Sequence, residues 1–257
     1  MDMHLAGKQV VVTGASKGIG LAIVEALIEE GAAVVAAARH VDALPAEVQG
    51  VAVDLSTPEG ASELVAAAGE IFDGGLDVLV NNVGAVKPRT GGFRSIADEE
   101  WIATLTLDFL AAVRVTRGAL DLLEARGGGT IVSVNSVNAK FADPLVMDYC
   151  TAKAALASFS KSLAKEVAPL GIRVNTVSPG PVATDLWLGG GGVAATVAEA
   201  VGGDPSAVAK GAAGQSPTGR FTEPAEVADL VVLLAGGRAG NVTGADFVID
   251  GGLIPTH

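Results

Sequence analysis

Short apolar runs alternate with helix-length stretches along the whole chain, and no other feature constrains the fold as much. "KQVVV" (8–12), "AAVVAAA" (32–38), "GVAVD" (50–54), "LDVLVNN" (76–82), "GTIVSV" (129–134), "IRVNTVS" (172–178) and "ADFVID" (245–250) read as strands. Between them "GIGLAIVEALIEEG" reads as a helix ending at Gly31. A second helix runs through "STPEGASELVAAAGEIF", opened by a capping box of Ser56 and Glu59 with Pro58 in its first turn. A long helix spans 101–125, another carries Tyr149 and Lys153, and a last one begins near Pro224. Strands apolar throughout belong to a parallel sheet covered on both faces. The expectation is one doubly wound α/β domain over 1–257, with about seven mostly parallel strands and no second core or repeat. Residues 186–222 stand apart: they are rich in Gly and Ala and hold "GGGG" at 189–192. They read as a linker or as a mobile lid over the carboxyl edge of the sheet, where ligands bind in such folds.

Composition narrows the partners. A formal charge of −12 opposes nucleic acid and anionic membrane, both polyanions. The single cysteine, Cys150, allows no intrachain disulfide and suits a reducing compartment. No apolar run nears the roughly 18 residues of a membrane span. The first residues show no basic region followed by an apolar one, so no signal peptide is expected and a cytoplasmic protein is. His4, His40 and His257 are scattered without metal spacing, so no metal is expected. Asp2, His4 and His257 read as solvated terminal groups.

"VVVTGASKGIGLAI" places Gly14, Gly18 and Gly20 between the first strand and the first helix. Glycines there let the backbone approach a pyrophosphate, which rests on the helix N-terminus. The spacing G-x-x-x-G-x-G differs from the commoner G-x-G-x-x-G, and a plain tight turn is the alternative. The end of the second strand selects between nicotinamide cofactors: an acid holds the ribose hydroxyl of NAD, whereas a cation accepts the 2′-phosphate of NADP. Here that end is "AAARH", with Arg39 and no acid, and Lys17 adds a charge nearby. The pattern favours NADP(H), with NAD(H) possible; ordinary surface cations are the rival explanation.

The only tyrosine, Tyr149, precedes Lys153 by four residues. On a helix such positions share a face. A phenol with a pKa of about 10 exchanges protons poorly near neutrality. A nearby ammonium favours the phenolate, making the pair a candidate general acid or base. A half-buried tyrosine beside a snorkelling lysine is the bland alternative. Cys150 points about 100° away around the helix, so a nucleophilic role is not expected.

"TGASKGIG" (13–20), "NNVG" (81–84), Ser136 in "IVSVNSV", Tyr149 with Lys153, "RVNTVSPG" (173–180) and "VIDGG" (248–252) occur in one order over nearly the whole chain. With these motifs the sequence resembles the short-chain dehydrogenase/reductase family in its single-domain form. The resemblance implies a Rossmann-type fold and an oxidoreductase passing a hydride between NADP(H) and a ketone or secondary alcohol. Tyr149 would be the proton donor or acceptor, Lys153 would lower its pKa and bind the nicotinamide ribose, and Ser136 would hold the substrate oxygen. Gly14, Ser16, Lys17, Gly18, Ile19 and Gly20 would hold the phosphates. Asp54 and Leu55 would meet the adenine, and Asn82 and Gly84 the ribose. Pro179, Gly180, Val182 and Thr184 would flank the nicotinamide. The family also implies a small carbonyl or alcohol substrate and a homotetramer or homodimer. Rival readings are an NAD-linked alcohol dehydrogenase, a non-catalytic cofactor-binding sensor or scaffold, and a dehydratase or epimerase on the same fold.

The match departs from the family at two places. Asp108, a candidate catalytic residue, stands where the family has an asparagine that supports a lysine-linked water; aspartate keeps an acceptor, loses the amide donor and adds charge. The preferred reading is that the backbone carbonyl holds the water and catalysis survives, with an altered pH profile or weakened relay as the alternative. Asn135 stands where a second serine is common, read here as a tolerated variation. Asn138, Asp143, Met147, Trp187 and Leu188 fall in segments expected to border the substrate, with Asn138, Met147 and Trp187 the candidates for its wall.

Overall fold

The computed structural model describes residues 2–255; His257 lies outside them. The seven strands, β1 (Gln9–Thr13), β2 (Ala33–Ala38), β3 (Gln49–Ala52), β4 (Val78–Asn81), β5 (Gly129–Val134), β6 (Ile172–Pro179) and β7 (Asp246–Ile249), form one sheet in the order β3-β2-β1-β4-β5-β6-β7. Every pairing is parallel. Chain order reverses direction beside β1, so its carboxyl end and that of β4 border a natural crevice.

Alternation along β1 explains the two layers. Val10 and Val12 point to one face, into the core beneath α1 (Gly18–Glu29), and Val11 points to the other. That other face is covered by α2 (Pro58–Ile71), by α3 (Asp98–Leu105) leading through a π-turn into α4 (Ala111–Ala125), and by α5 (Met147–Val167). A segment of three helices, α6 (Asp185–Leu188), α7 (Val193–Val201) and α8 (Pro205–Ala213), follows β6. It leads to α9 (Pro224–Ala235), which packs beside α1 with Pro224 at its first turn.

The structure revises three local expectations. The cap of α2 is Thr57, whose hydroxyl accepts from Gly60 N at 3.0 Å. Ser56 lies one residue before the cap position, because the helix starts at Pro58, and its N–H is bound to Asp54 Oδ1 at 2.9 Å. The long helix begins at Asp98, before Trp101, and is interrupted at Thr106–Leu110 by a π-turn. Residues 186–222 are neither linker nor bare loop. Asp204 caps α8 by accepting from Ser206 N at 3.0 Å, with Pro205 in the first turn. The ends of the segment are pinned together by a bridge between Val182 and Thr222 and by Trp187 stacked on Phe221, 5.5 Å between centroids.

One buried ionic cluster fixes the start of α5. Arg89, 8% exposed, lies in the loop after β4 and grips Asp148, 1% exposed, through both Nε at 3.0 Å and Nη2. Thr104 of α3 donates to the same Asp148 oxygen at 2.8 Å, and Arg89 also meets Glu100. Burial alone would raise the Asp148 carboxyl, but Arg89 and Thr104 outweigh it and hold it below the usual range. Asp148 immediately precedes Tyr149, so the cluster sets where the phenol starts.

Two stability outcomes are expected. Thr57→Ala should cost about 1 kcal/mol in urea unfolding, while Ser56→Ala should stay within about 0.5. Arg89→Leu should cost about 3–5 kcal/mol by leaving Asp148 buried and unpaired, and Arg89→Leu/Asp148→Leu should recover much of that loss.

Candidate active site

At the carboxyl end of β1 the chain turns against the end of β4 with no room for side chains. A Cβ on Gly20 would stand 2.2 Å from Gly14 O, and one on Gly14, which has φ +65°, would stand 2.8 Å from Val83 Cα. Asn82 locks this contact: its Nδ2 donates to Thr13 O at 3.1 Å and Gly14 O at 3.0 Å. The residue before α1, Lys17, is extended, and no side chain caps the helix. The first N–H groups of α1 are thus left for an anion.

This turn borders a cleft of about 600 Å³. Its floor is Gly14, Ser16, Lys17, Gly18, Ile19 and Gly20. Arg39, at the end of β2, joins one wall with Asp54 and Leu55. Asn82 and Gly84 form the middle, and Tyr149, Lys153 and Thr184 the far end. Asp54 points back to its own loop: Ser56 N and the Ser56 hydroxyl hold its carboxyl below the usual range, with a smaller pull from Arg39. The acids in the lining are Asp54 and Asp185, and neither comes from the end of β2. The glycine cradle, the uncapped helix and the two cations suit a dinucleotide carrying an extra phosphate.

Tyr149 and Lys153 share a face of α5, with Lys153 Nζ 5.6 Å from the Tyr149 ring centroid. Lys153 is 3% exposed and donates to Val134 O at 3.1 Å. The expected lowering of the phenol by this lysine is not what the structure gives. Burial and the negative charge of Asp108 raise the Tyr149 pKa above its ordinary value, against a smaller opposite effect of the Ser136 hydroxyl. The Lys153 ammonium is turned to the Val134 carbonyl, and burial lowers its own pKa against Asp108. Ser136 stands behind the cleft wall. Its Oγ accepts from Asn138 N at 3.1 Å and lies 3.3 Å from Asn138 Oδ1.

Asp108 sits in the π-turn, 2% exposed, and Oδ1 accepts from Ala85 N at 3.0 Å. Burial pushes its carboxyl up to about 6, with Lys153 and the Ala85 N–H pulling the other way. It takes over the expected tie between the long helix and the end of the sheet.

Not every expected residue reaches this cleft. Val182 is buried in the core beneath α1 and α9, and Gly180 backs onto Asp250, where a Cβ would meet Asp250 Cβ at 2.9 Å. Pro179 pairs with Ile249 in the sheet. Asn138 binds Ser136 and also donates to Phe141 O at 3.1 Å. Met147 opens α5 beside the Arg89 cluster, Trp187 packs on Phe221, and Leu188 is exposed. Asp143 N meets Cys150 Sγ at 3.4 Å, which accounts for the cysteine facing away from the cleft. His4 and Asp2 bind each other at the surface. Lining residues without a sequence signal are Ala103, Thr106 and Leu107, brought in by the π-turn, and Asp185 and Leu186 of α6. Asn135 also lines the cleft; it is 3% exposed, and neither polar atom of its side chain has a partner among the described residues.

Among the described residues no group of three or more His, Cys, Asp or Glu could hold a metal, and no helix is long and apolar enough to cross a membrane.

Comparison with known proteins agrees with this geometry. Residues 8–188 match the family model for short chain dehydrogenase. The chain is 33% identical to the 3-oxoacyl-[acyl-carrier-protein] reductase FabG of Vibrio cholerae, over 98% of this chain and 99% of that protein. It is 34% identical to the short-chain reductase protein NovJ of Streptomyces niveus, over 94% of this chain and 92% of that one. The crystal structure of L-sorbose reductase from Gluconobacter frateurii, complexed with NADPH and L-sorbose, superposes with a TM-score of 0.91 at 38% identity and covers 100% of both chains. Ligand-free aldohexose dehydrogenase from Thermoplasma acidophilum gives 0.87 at 29% identity, over 98% of this chain and 97% of that one. With the sheet order in place and the glycine turn bordering a cleft that also holds Tyr149 and Lys153, the chain is an oxidoreductase that belongs to the short chain dehydrogenase family.

Proposed function

We propose that this protein is an NADPH-dependent ketoreductase acting on a small carbonyl compound. The observation that carries the cofactor assignment is Arg39 and Lys17 in the cleft wall, with no acid contributed by the end of β2. An acid there would repel a 2′-phosphate, and two cations attract one. The NADPH complex of L-sorbose reductase, 38% identical, supports the same choice.

When bound, NADPH supplies the hydride that reaches the carbonyl carbon. The chain supplies the rest. The turn of Gly14, Ser16 and Gly18 with the α1 N-terminus takes the phosphates, and Asn82 and Gly84 border the ribose. Tyr149 gives its proton to the carbonyl oxygen, leaving a phenolate that solvent reprotonates. The Ser136 hydroxyl donates to the same oxygen and steadies its developing charge. To do so its proton leaves Asn138 Oδ1, to which it donates over a long 3.3 Å, while Asn138 N keeps one of its lone pairs occupied. Lys153, held by Val134 O, keeps a positive charge beside the phenolate. Thr184, Asp185 and Leu186 lead from the cleft into the 186–222 segment, the natural cover for a substrate.

Fluorescence titration with reduced cofactors tests the assignment. NADPH is expected to bind at least about tenfold tighter than NADH, near 1.4 kcal/mol, and Arg39→Ala should remove most of that ratio. Equal binding of the two cofactors would move NAD-linked alcohol oxidation ahead. Tyr149→Phe should lower ketone reduction by about 10²–10⁴-fold while leaving NADPH binding nearly unchanged. Variant turnover at the wild-type rate would remove Tyr149 from the reaction.

A further inference from the structure

Asp108 is a charged group where the reaction just described needs none. Its surroundings make the charge count. The π-turn carries it inward, Ala85 N fixes Oδ1 at 3.0 Å, and the side chain is 2% exposed. Gly84 is what admits it. A Cβ there would stand 2.6 Å from Asp108 Oδ1 and 3.5 Å from Lys153 Nζ, so carboxylate and ammonium face each other across a glycine. Among the described residues Lys153 has no ion-pair partner within 4 Å, and Asp108 is the acid that acts on it.

The other charges packed around Asp108 are already engaged. From α5 come Tyr149, Lys153 and Asp148, and Asp148 is gripped by Arg89 and Thr104. From α3, Glu100 is turned to Arg89 and Lys87. Near the start of α4, Arg114 is turned away to Ser56 O at 3.0 Å. Asp108 is therefore the one acid of this layer whose field falls on the Tyr149–Lys153 pair without a cation bound to it.

We propose that Asp108 is a positioning residue that holds the proton on Tyr149 and the charge on Lys153, a bias that sets the pH at which the site passes from proton donor to proton acceptor. This rests on the ketoreductase reading for its consequence, though not for its physics. A fixed negative charge makes a neighbouring phenolate costlier and a neighbouring ammonium cheaper. Reduction starts from the phenol and oxidation from the phenolate, so the charge moves the pH limbs of both directions upward together. The directions agree: Asp108 raises both Tyr149 and Lys153, while burial lowers Lys153. With its own carboxyl pushed up to about 6, Asp108 carries the charge above that pH and loses it below. An asparagine would keep the acceptor for Ala85 N and remove the bias.

The chain has a single tyrosine, so tyrosinate absorbance reports Tyr149 alone. Wild type, Asp108→Asn and a second neutral variant, Asp108→Ser, are titrated to alkaline pH with and without NADP⁺, with Tyr149→Phe as the blank and tryptophan fluorescence to mark unfolding. Both neutral variants should ionise at a lower pH by about one unit, and the pH limbs of ketone reduction and of alcohol oxidation should both move down by about the same amount. An unchanged tyrosinate midpoint in both variants overturns the proposal. Where unfolding comes first, the alkaline limb of alcohol oxidation decides in its place: a shift to lower pH supports the coupling, and an unshifted limb overturns it. If the variants' tyrosinate midpoint falls but no form reduces a ketone, the ketoreductase reading fails and the shift of the reduction limb with it, while the coupling of Asp108 to Tyr149 stands.

Discussion

The contact between the turn after β1 and the end of β4 is the constraint from which the site follows. Two backbones meet there at distances that exclude a Cβ on Gly14 and Gly20. Asn82 seals the junction with hydrogen bonds to both sides of the turn. Because the strands run parallel and the order changes direction beside β1, this junction lies at the floor of the crevice. α1 then starts with its N–H groups facing the cleft, and Gly84, two residues past Asn82, can pass close to Asp108 and Lys153. The anion cradle and the proton-transfer end are therefore two consequences of one backbone approach.

The far end of the cleft shows how burial reshapes chemistry. Lys153, Asp108, Arg89 and Asp148 are all nine-tenths buried or more, and an unpaired charge there is costly. The chain answers in two ways. Arg89 and Asp148 form a direct, many-bonded pair that fixes the first turn of α5. Asp108 and Lys153 face each other across Gly84 without a contact within 4 Å, which leaves both groups free to respond to what enters the cleft. The first arrangement gives rigidity, and the second gives a site whose charge can change during a reaction.

Much of this was legible in the residues, for physical reasons that also explain the rest. Strands such as "QVVVT" are buried on both faces, so their apolar runs leave no ambiguity of period. Glycines at a strand-to-helix turn mark close backbone approach, and a Tyr and Lys four apart can only share a helix face. Thr57 was missed as a cap because Ser56 and Thr57 offer the same hydroxyl, and only the fold shows Ser56 N already bound to Asp54. The π-turn left no signal, since one widened turn barely disturbs a helical pattern. The expectation that Lys153 lowers the Tyr149 pKa used the charge of the lysine alone; burial and Asp108 were invisible in the sequence and dominate. The helices α6 to α8 hid within a Gly- and Ala-rich stretch because Ala favours helix while Gly opposes it, and only Asp204 with Pro205 announced one start.

The substrate end owes its shape to elements that carry little chemistry themselves. Trp187 on Phe221 and Val182 against Thr222 close the 186–222 excursion on itself. Ser136 and Asn138 belong to a short turn after β5, where the Ser136 hydroxyl is bound to Asn138 and opposes the rise in the Tyr149 pKa. Asn135, beside them, has both polar side-chain atoms buried without a protein partner, and such a group is satisfied either by water or by a bound molecule. A residue of this kind in a cleft wall turns the cost of an unmet hydrogen bond into selectivity, because a ligand that meets it gains what one that cannot must forgo. The cleft is therefore bordered by two unlike elements: the start of an excursion whose pieces bind one another, and a polar wall at β5 whose side-chain hydrogen bonds are unmet among the described residues.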